Sequence, residues 1–419
     1  MCVSYKGIIN KIFKIVILIY MGYASLLGIP ILSDDGNARV VMSVLTIFIF
    51  LLAHQKRYLV NIKKYTDPYF NKYIRILTVI LLIHGVYGSI RYGQSAFDMY
   101  IVLIGYTFLL LVYPALMWLD LDEKKFFRFI TYATCLYAFI TVVQVLFVNY
   151  FGISLIKTLR GSVRNGRVRI TMPAICSILT IFSFYKVLNE KKRRLSNIFI
   201  FILLLGTLVW IDQTRMAILA IICGLGAAIL TKKRQHADRT LAAYIVIAIL
   251  IAVAFNSGVF DSFLASFSAN SKESSSTSVR LQAIEYFWTF FKNNPILGMG
   301  YIRPVSSDLV SIWSGPLRKF YLNDLGAIGL LCRVGLTSII IYWIPLIRMF
   351  VVAFRALKYR AVESSLLIGL SVYVAVTSIS LVYTDQERLL WFGMIMAIFE
   401  FYNEKVIEKN EEQKIYLQG

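Results

Sequence analysis

Arg160, Arg164, Arg167 and Arg169 crowd a polar stretch, 149–169, that also holds Lys157 and contains no acidic residue. Asp212 and Arg215 close the run Asp212-Gln213-Thr214-Arg215, Arg280 heads an aromatic segment, and Asp324 precedes a return to apolar sequence. A guanidinium stays charged and offers a planar fork of donors that matches phosphate oxygens. A carboxylate nearby can take the proton of an attacking hydroxyl. These residue types suit group transfer with a phosphate or diphosphate leaving group, the arginines standing where negative charge develops. The catalytic candidates are Asp324, Arg215, Arg280 and Asp212, with Asp324 the first choice of base and Asp212 the second. The diphosphate contacts are Arg160, Arg164, Arg167, Arg169, Arg215 and Arg280, of which Arg215 and Arg280 lead.

The chain that must position them has 419 residues, 58% hydrophobic and 16% charged, with mean hydropathy +0.69. A soluble domain is about 45–50% apolar and about 25% charged. Apolar runs of about 20 residues, punctuated by Lys/Arg clusters, indicate an integral membrane protein. A net charge of +21 would suggest nucleic acid in a soluble protein. Here the bases sit mainly in short loops between spans, as the positive-inside bias requires, and no nucleic-acid partner is expected. The five cysteines are scattered and form no disulfide or metal-ligand pattern. No small-residue cleavage site follows the first apolar run, which is therefore expected to be a retained span.

The expected architecture is one all-α polytopic membrane domain over 1–419 with about twelve spans. They fall at 12–31, 40–53, 73–90, 99–118, 129–148, 170–188, 198–211, 216–230, 241–255, 325–344, 366–383 and 389–402. Both termini and the loops 54–72, 119–128, 190–194 and 348–363 fall on the cytoplasmic side, in a cytoplasmic membrane. The segments 91–98, 149–169, 212–215, 256–325 and 384–388 fall outside. Asp120 and Asp122 then belong to an ordinary charged inner loop. The arginines of 149–169 break the charge rule on the outer side, which argues that they have work there.

The large outer segment, 256–325 between spans nine and ten, is expected to cap the bundle. Within it Leu281, Ile284, Phe287, Trp288 and Phe291 recur at helical spacing, giving an amphipathic helix near 279–292. Arg280 is expected to open that helix, where a cation opposes the helix dipole at a cost of about 0.3–1 kcal/mol. Pro295 ends the helix, and Gly298 and Gly300 permit tight turns that fix it against the next segment. Span ten then carries Arg333 in its middle. A positive outer cavity beside an apolar bundle suits an anionic head on a long apolar tail.

Three pieces resemble the O-antigen ligase and polysaccharide polymerase superfamily of bacterial envelopes: Trp210–Ala217 (WIDQTRMA), Arg280–Gly300 (RLQAIEYFWTFFKNNPILGMG) and Asp324–Leu336 (DLGAIGLLCRVGL). In the first, Arg215 occupies the place of the family's span arginine. The resemblance covers about 159–340. It implies metal-independent transfer without a cofactor, from an undecaprenyl-diphosphate-linked oligosaccharide in the bacterial cytoplasmic membrane. It also implies the flippase and chain-length regulator of the same pathway as partners. Ligases of this family usually show His-Asn where Asp324-Leu325 stands here, so no histidine role carries over. The departure leans toward a polymerase of capsular, exopolysaccharide or O-antigen repeat units.

Direct attack by an acceptor hydroxyl would invert the donor's anomeric centre. A ligase of O-antigen or teichoic type would share the donor and differ in the acceptor. A transporter or flippase of lipid-linked sugars should show internal duplication and helices broken at the midplane; the sequence displays neither.

Overall fold

The computed structural model describes residues 2–29, 35–54, 63–66, 69–156, 161–164, 167–232, 274–316, 318–385 and 387–418. Span nine, expected at 241–255, the cap's first part, 256–273, and Arg160 lie outside the described residues. The described residues are mostly helical, with one small hairpin. The helices are α1 (Cys2–Tyr20), α2 (Asp35–Ala53), α3 (Phe70–Tyr92), α4 (Ala96–Leu103), α5 (Val112–Phe151), α6 (Ile175–Asn189), α7 (Arg194–Thr207), α8 (Arg215–Thr231), α9 (Ser274–Asn293), α10 (Ser307–Ser314), α11 (Gly326–Val334), α12 (Ile344–Lys358), α13 (Ser364–Thr377) and α14 (Leu389–Gln418). Strands β1 (Ser162–Arg164) and β2 (Arg167–Arg169) pair antiparallel, with Ser162 opposite Arg169.

Among the described residues, five helices are long and apolar enough to cross a membrane: Gly36–Ala53, Phe70–Tyr92, Ala96–Phe151, Arg194–Asp212 and Ile339–Lys358. Ile175–Asn189, Arg215–Thr231 and Ser364–Thr377 are shorter apolar helices. Exposed side chains such as Ile90 and Leu82 on α3 and Leu195 and Phe199 on α7 are large and apolar, as lipid-facing surfaces require. Where helices cross closely, small residues permit it. A Cβ on Gly224 of α8 would come within 2.7 Å of the Gly369 carbonyl on α13.

Several boundaries differ from expectation. The segment 119–128, expected as an inner loop, is helical except at Asp122, whose backbone departs to φ −160, ψ 84. Its carboxylate accepts from the Lys125 amide at 2.8 Å and pairs with the Lys125 ammonium at 3.0 Å. One capping residue thus replaces the loop. The 56 residues of Ala96–Phe151 would measure about 84 Å as one straight helix, so the break at Asp122 is what lets them fold back within a bilayer.

Span ten is not continuous. α11 stops at Gly335, which has φ 62, and the chain resumes through the π turn Ile339–Trp343 into α12. Arg333 therefore sits in the last turn of a half-helix rather than mid-span, where its charge suits the helix dipole. The expected inner loop 348–363 likewise begins as helix, because α12 runs to Lys358. Arg348 there grips the buried Glu400 through two hydrogen bonds of 3.0 and 2.8 Å.

Residues expected on the same side collect at the same end. At one end Lys64 reaches Asp120 and Glu408, Lys405 pairs with Glu123, and Lys409 with Glu363. At the other, Arg303 pairs with Asp98 at 2.7 Å and Arg169 with Asp212. A main apolar core fills the bundle. A separate cluster, including Ala283 and Phe287 of α9 with Phe320, Leu322, Leu325 and Cys332, holds a cap together.

Candidate active site

Arg169 is placed by its neighbours in sequence. Val168 and Ile170 pack with Val145 of α5 and Ile211 and Trp210 at the end of α7. Arg169 lies between those apolar anchors and points its guanidinium at the turn after α7. There it donates from Nε to the Asp212 carbonyl at 2.5 Å and from Nη2 to Thr214 Oγ1 at 2.9 Å, and stands 3.8 Å from Asp212 Oδ1. The turn is made by widening α7 into a π turn, Leu208–Asp212, and by Gln213 in the left-handed region at φ 53. Thr214 donates to Asp212 Oδ1 at 3.0 Å. Arg215 is the first residue of α8 and is half-buried. The unfavourable helix-start position that the sequence suggested for Arg280 is thus held by Arg215.

A second unit forms where α11 meets the segment between α13 and α14. Asp385 is buried. Its carboxylate stands 3.7 Å from Arg333 Nη1 and 3.4 Å from Arg388 Nη1. Burial pushes that carboxyl up to about 6 against the opposing pull of the two arginines. Arg333 also donates to Asn323 Oδ1 and lies 5.3 Å from the centre of the Trp313 ring, both in the cap. Arg388 is within electrostatic reach of Asp212, so it links the two units. The order Arg169, Asp212, Arg388, Asp385, Arg333 alternates in sign and ends under the cap. Buried charges are tolerated when paired this way.

The motif Asn294–Gly300 fixes Arg333. Gly300 donates to the Arg333 carbonyl at 2.7 Å, Met299 to the Cys332 carbonyl at 2.9 Å, and Leu336 to the Pro295 carbonyl at 2.8 Å. The two backbones approach so closely that a Cβ on Gly298 would lie 2.5 Å from the Cys332 oxygen. On the far side Tyr92 donates to the Met299 carbonyl at 2.6 Å, and Asn294 to the Tyr87 hydroxyl at 2.9 Å. The return turn is seated similarly: a Cβ on Gly326 would lie 2.3 Å from the Ser378 oxygen.

Asp324 is exposed on the turn Leu322–Leu325, within electrostatic reach of Asp385. Arg280 does not open α9. The serines before it are already helical from Ser274, and Arg280 sits further along the helix, exposed. It makes no hydrogen bond or ion pair among the described residues. Leu281, expected on the packed face, is exposed; Ala283 and Phe287 are buried, with Ile284, Trp288 and Phe291 half-buried. Arg164 and Arg167 face each other across the hairpin backbone.

Three members of the site went unread in the sequence: Asp385, Arg388 and the true setting of Arg333. Each looked like part of a span or of a short outer turn. The buried Arg333 Nε, Ser380 Oγ and Thr384 Oγ1 have no hydrogen-bond partner among the described residues. Buried polar atoms are normally paired, and these unpaired ones surround Asp385 in sequence or in space.

Residues 198–332 match the family model described as O-antigen ligase. That segment is similar to the O-antigen ligase family, and the likeness covers less than half of the chain. No curated protein matches the chain. The matched segment runs from α7 through the described part of the cap to Cys332. It supplies Asp212, Arg215, Arg280 and Asp324, and stops one residue before Arg333. Arg169, Asp385 and Arg388 come from outside it, and Arg169 pairs with Asp212 of the matched segment.

Proposed function

We propose that this chain polymerises undecaprenyl-diphosphate-linked oligosaccharide repeat units into capsular, exopolysaccharide or O-antigen glycan at the outer face of the cytoplasmic membrane. The observation that carries the reading is the run of arginines and carboxylates from Arg169 through Arg388 to Arg333 beneath the cap. Arg215 and Arg280 hold the diphosphate, supported by Arg160, Arg164, Arg167 and Arg169. Arg333 and Arg388, oriented by Asp385, add positive charge where the leaving group forms. Such fixed charge in a water-poor site lowers the barrier without reorganisation during reaction.

The acceptor hydroxyl attacks the anomeric carbon as the bond to the diphosphate oxygen breaks. Asp324 takes the hydroxyl proton, and the departing undecaprenyl diphosphate carries the electron pair. Attack from the opposite face inverts the centre and needs no metal. Asp212, engaged by Arg169 and Thr214, acts chiefly to set that arginine.

Purified protein incubated with a lipid-diphosphate repeat unit should yield a ladder of longer lipid-linked chains. A single transfer to a different acceptor would instead establish a ligase, the reading that the name of the matched family favours. Absence of both, with the substrate moved across a vesicle, would identify a transporter. The broken span at Gly335 gives that reading one feature that the sequence did not display.

A further inference from the structure

A groove of about 550 Å³ lies between α3 and the segment formed by α4 and Ile104–Leu111. Its walls include Leu77, Leu81, Gly85, Leu103, Tyr106 and Leu110. On α3 it runs from Ile74 to Ile90, about 24 Å along a helix axis. It therefore follows the helix through most of a bilayer's apolar depth. Two threonine hydroxyls in its wall are already used: Thr78 donates to the Ile74 carbonyl at 2.8 Å and Thr107 to the Ile104 carbonyl at 2.6 Å. The groove thus offers an occupant an almost wholly apolar surface.

The groove is tied to the candidate site. Tyr106, a wall residue, bonds hydroxyl to hydroxyl with Tyr301. Tyr301 is buried within electrostatic reach of Arg333 and Asp385. Gly88, beside the groove on α3, leaves room for the Tyr301 carbonyl; a Cβ there would lie 2.9 Å from that oxygen. Tyr92, at the end of the same helix, bonds the turn that fixes Arg333. One helix pair thus presents an apolar channel along its length and reaches the charged cluster at its head.

We propose that this groove seats the polyprenyl chain of the lipid-diphosphate substrate. The inference rests on the proposed function, which supplies the diphosphate head. A ligand whose anion lies beneath the cap must send its tail down from that end, and this groove starts there. Gly85 helps set its width: a Cβ would meet only the Leu103 Cδ1 at 3.5 Å, an ordinary contact, so a larger side chain at 85 projects into the channel rather than breaking the fold.

The test uses the full chain in nanodiscs and a polyprenyl diphosphate bearing a diazirine in its tail. Irradiation should label peptides containing Leu81–Gly85 and Leu103–Tyr106, and unlabelled undecaprenyl diphosphate should compete the label away. Gly85→Phe should lower labelling about tenfold and raise KM for a long-chain donor about tenfold relative to a donor with a two-isoprene tail. Leu195→Phe, exposed on α7 away from the groove wall, is the control and should change neither. Labelling elsewhere, labelling that a diazirine phospholipid reproduces without competition, or an equal effect of Gly85→Phe on both donors would overturn the proposal. Competed labelling in the groove without glycosyl transfer would retain the tail site and reject the polymerase reading. Chain growth without groove labelling would do the reverse.

Discussion

Asp385 binds two guanidinium groups and belongs to neither of the helices that flank it, so its titration should register in activity. Burial holds its carboxyl at about 6, above the ordinary 3.8. It is ionised above that value and orients Arg333 and Arg388; it loses that charge as pH falls. Turnover should therefore drop about tenfold per unit below pH 6, and Asp385→Asn should flatten that acid limb while lowering the plateau. The sign for stability is opposite. The unfolded carboxyl loses its proton first as pH rises, so the fold loses stability between about pH 4 and 6 and is level above. Arg215→Ala should cut kcat by about 10²–10³ through loss of a charge donor in the transition state. Arg280→Ala should also stop chain growth, a stringent test because Arg280 is exposed and reaches the site only if substrate extends to it. Asp324→Asn should lower kcat by about 10²–10⁴ with donor binding retained; full turnover would move the base elsewhere.

At the scale of elements, the half-helix α11 matters through its end. Its carbonyls at Cys332 and Arg333 are bonded to Met299 and Gly300, and this contact sets where Arg333 projects. Gly298→Val should cost about 1–3 kcal/mol by overpacking against that backbone. It should also depress kcat more than it lowers the amount of folded protein, measured by thermal shift beside turnover. A loss confined to stability would show that Arg333 does not depend on the turn.

For the whole molecule, the two ends of the bundle carry separate charge networks. The arginine-rich end should face outward. In a variant lacking native cysteines, Tyr321→Cys should react with an impermeant maleimide in intact cells, and Lys409→Cys only after permeabilisation. The reverse pattern would place the cap in the cytoplasm and remove the proposed function, which requires the cap on the outer face.

Sequence by itself determined the helical, apolar class and the turn that ends the cap helix at Asn294–Gly300, because hydropathy and Pro/Gly turns are local properties. It also held an unread hairpin signal, Asn165-Gly166 between Val163-Arg164 and Arg167-Val168. Only the tertiary structure decided that span ten breaks at Gly335, since an apolar run looks alike whether or not a glycine within it turns. Only the structure joined Asp385 and Arg388 to Arg333 and Asp212. Those residues lie far apart in the chain, and a buried charge chooses its partner by packing in three dimensions.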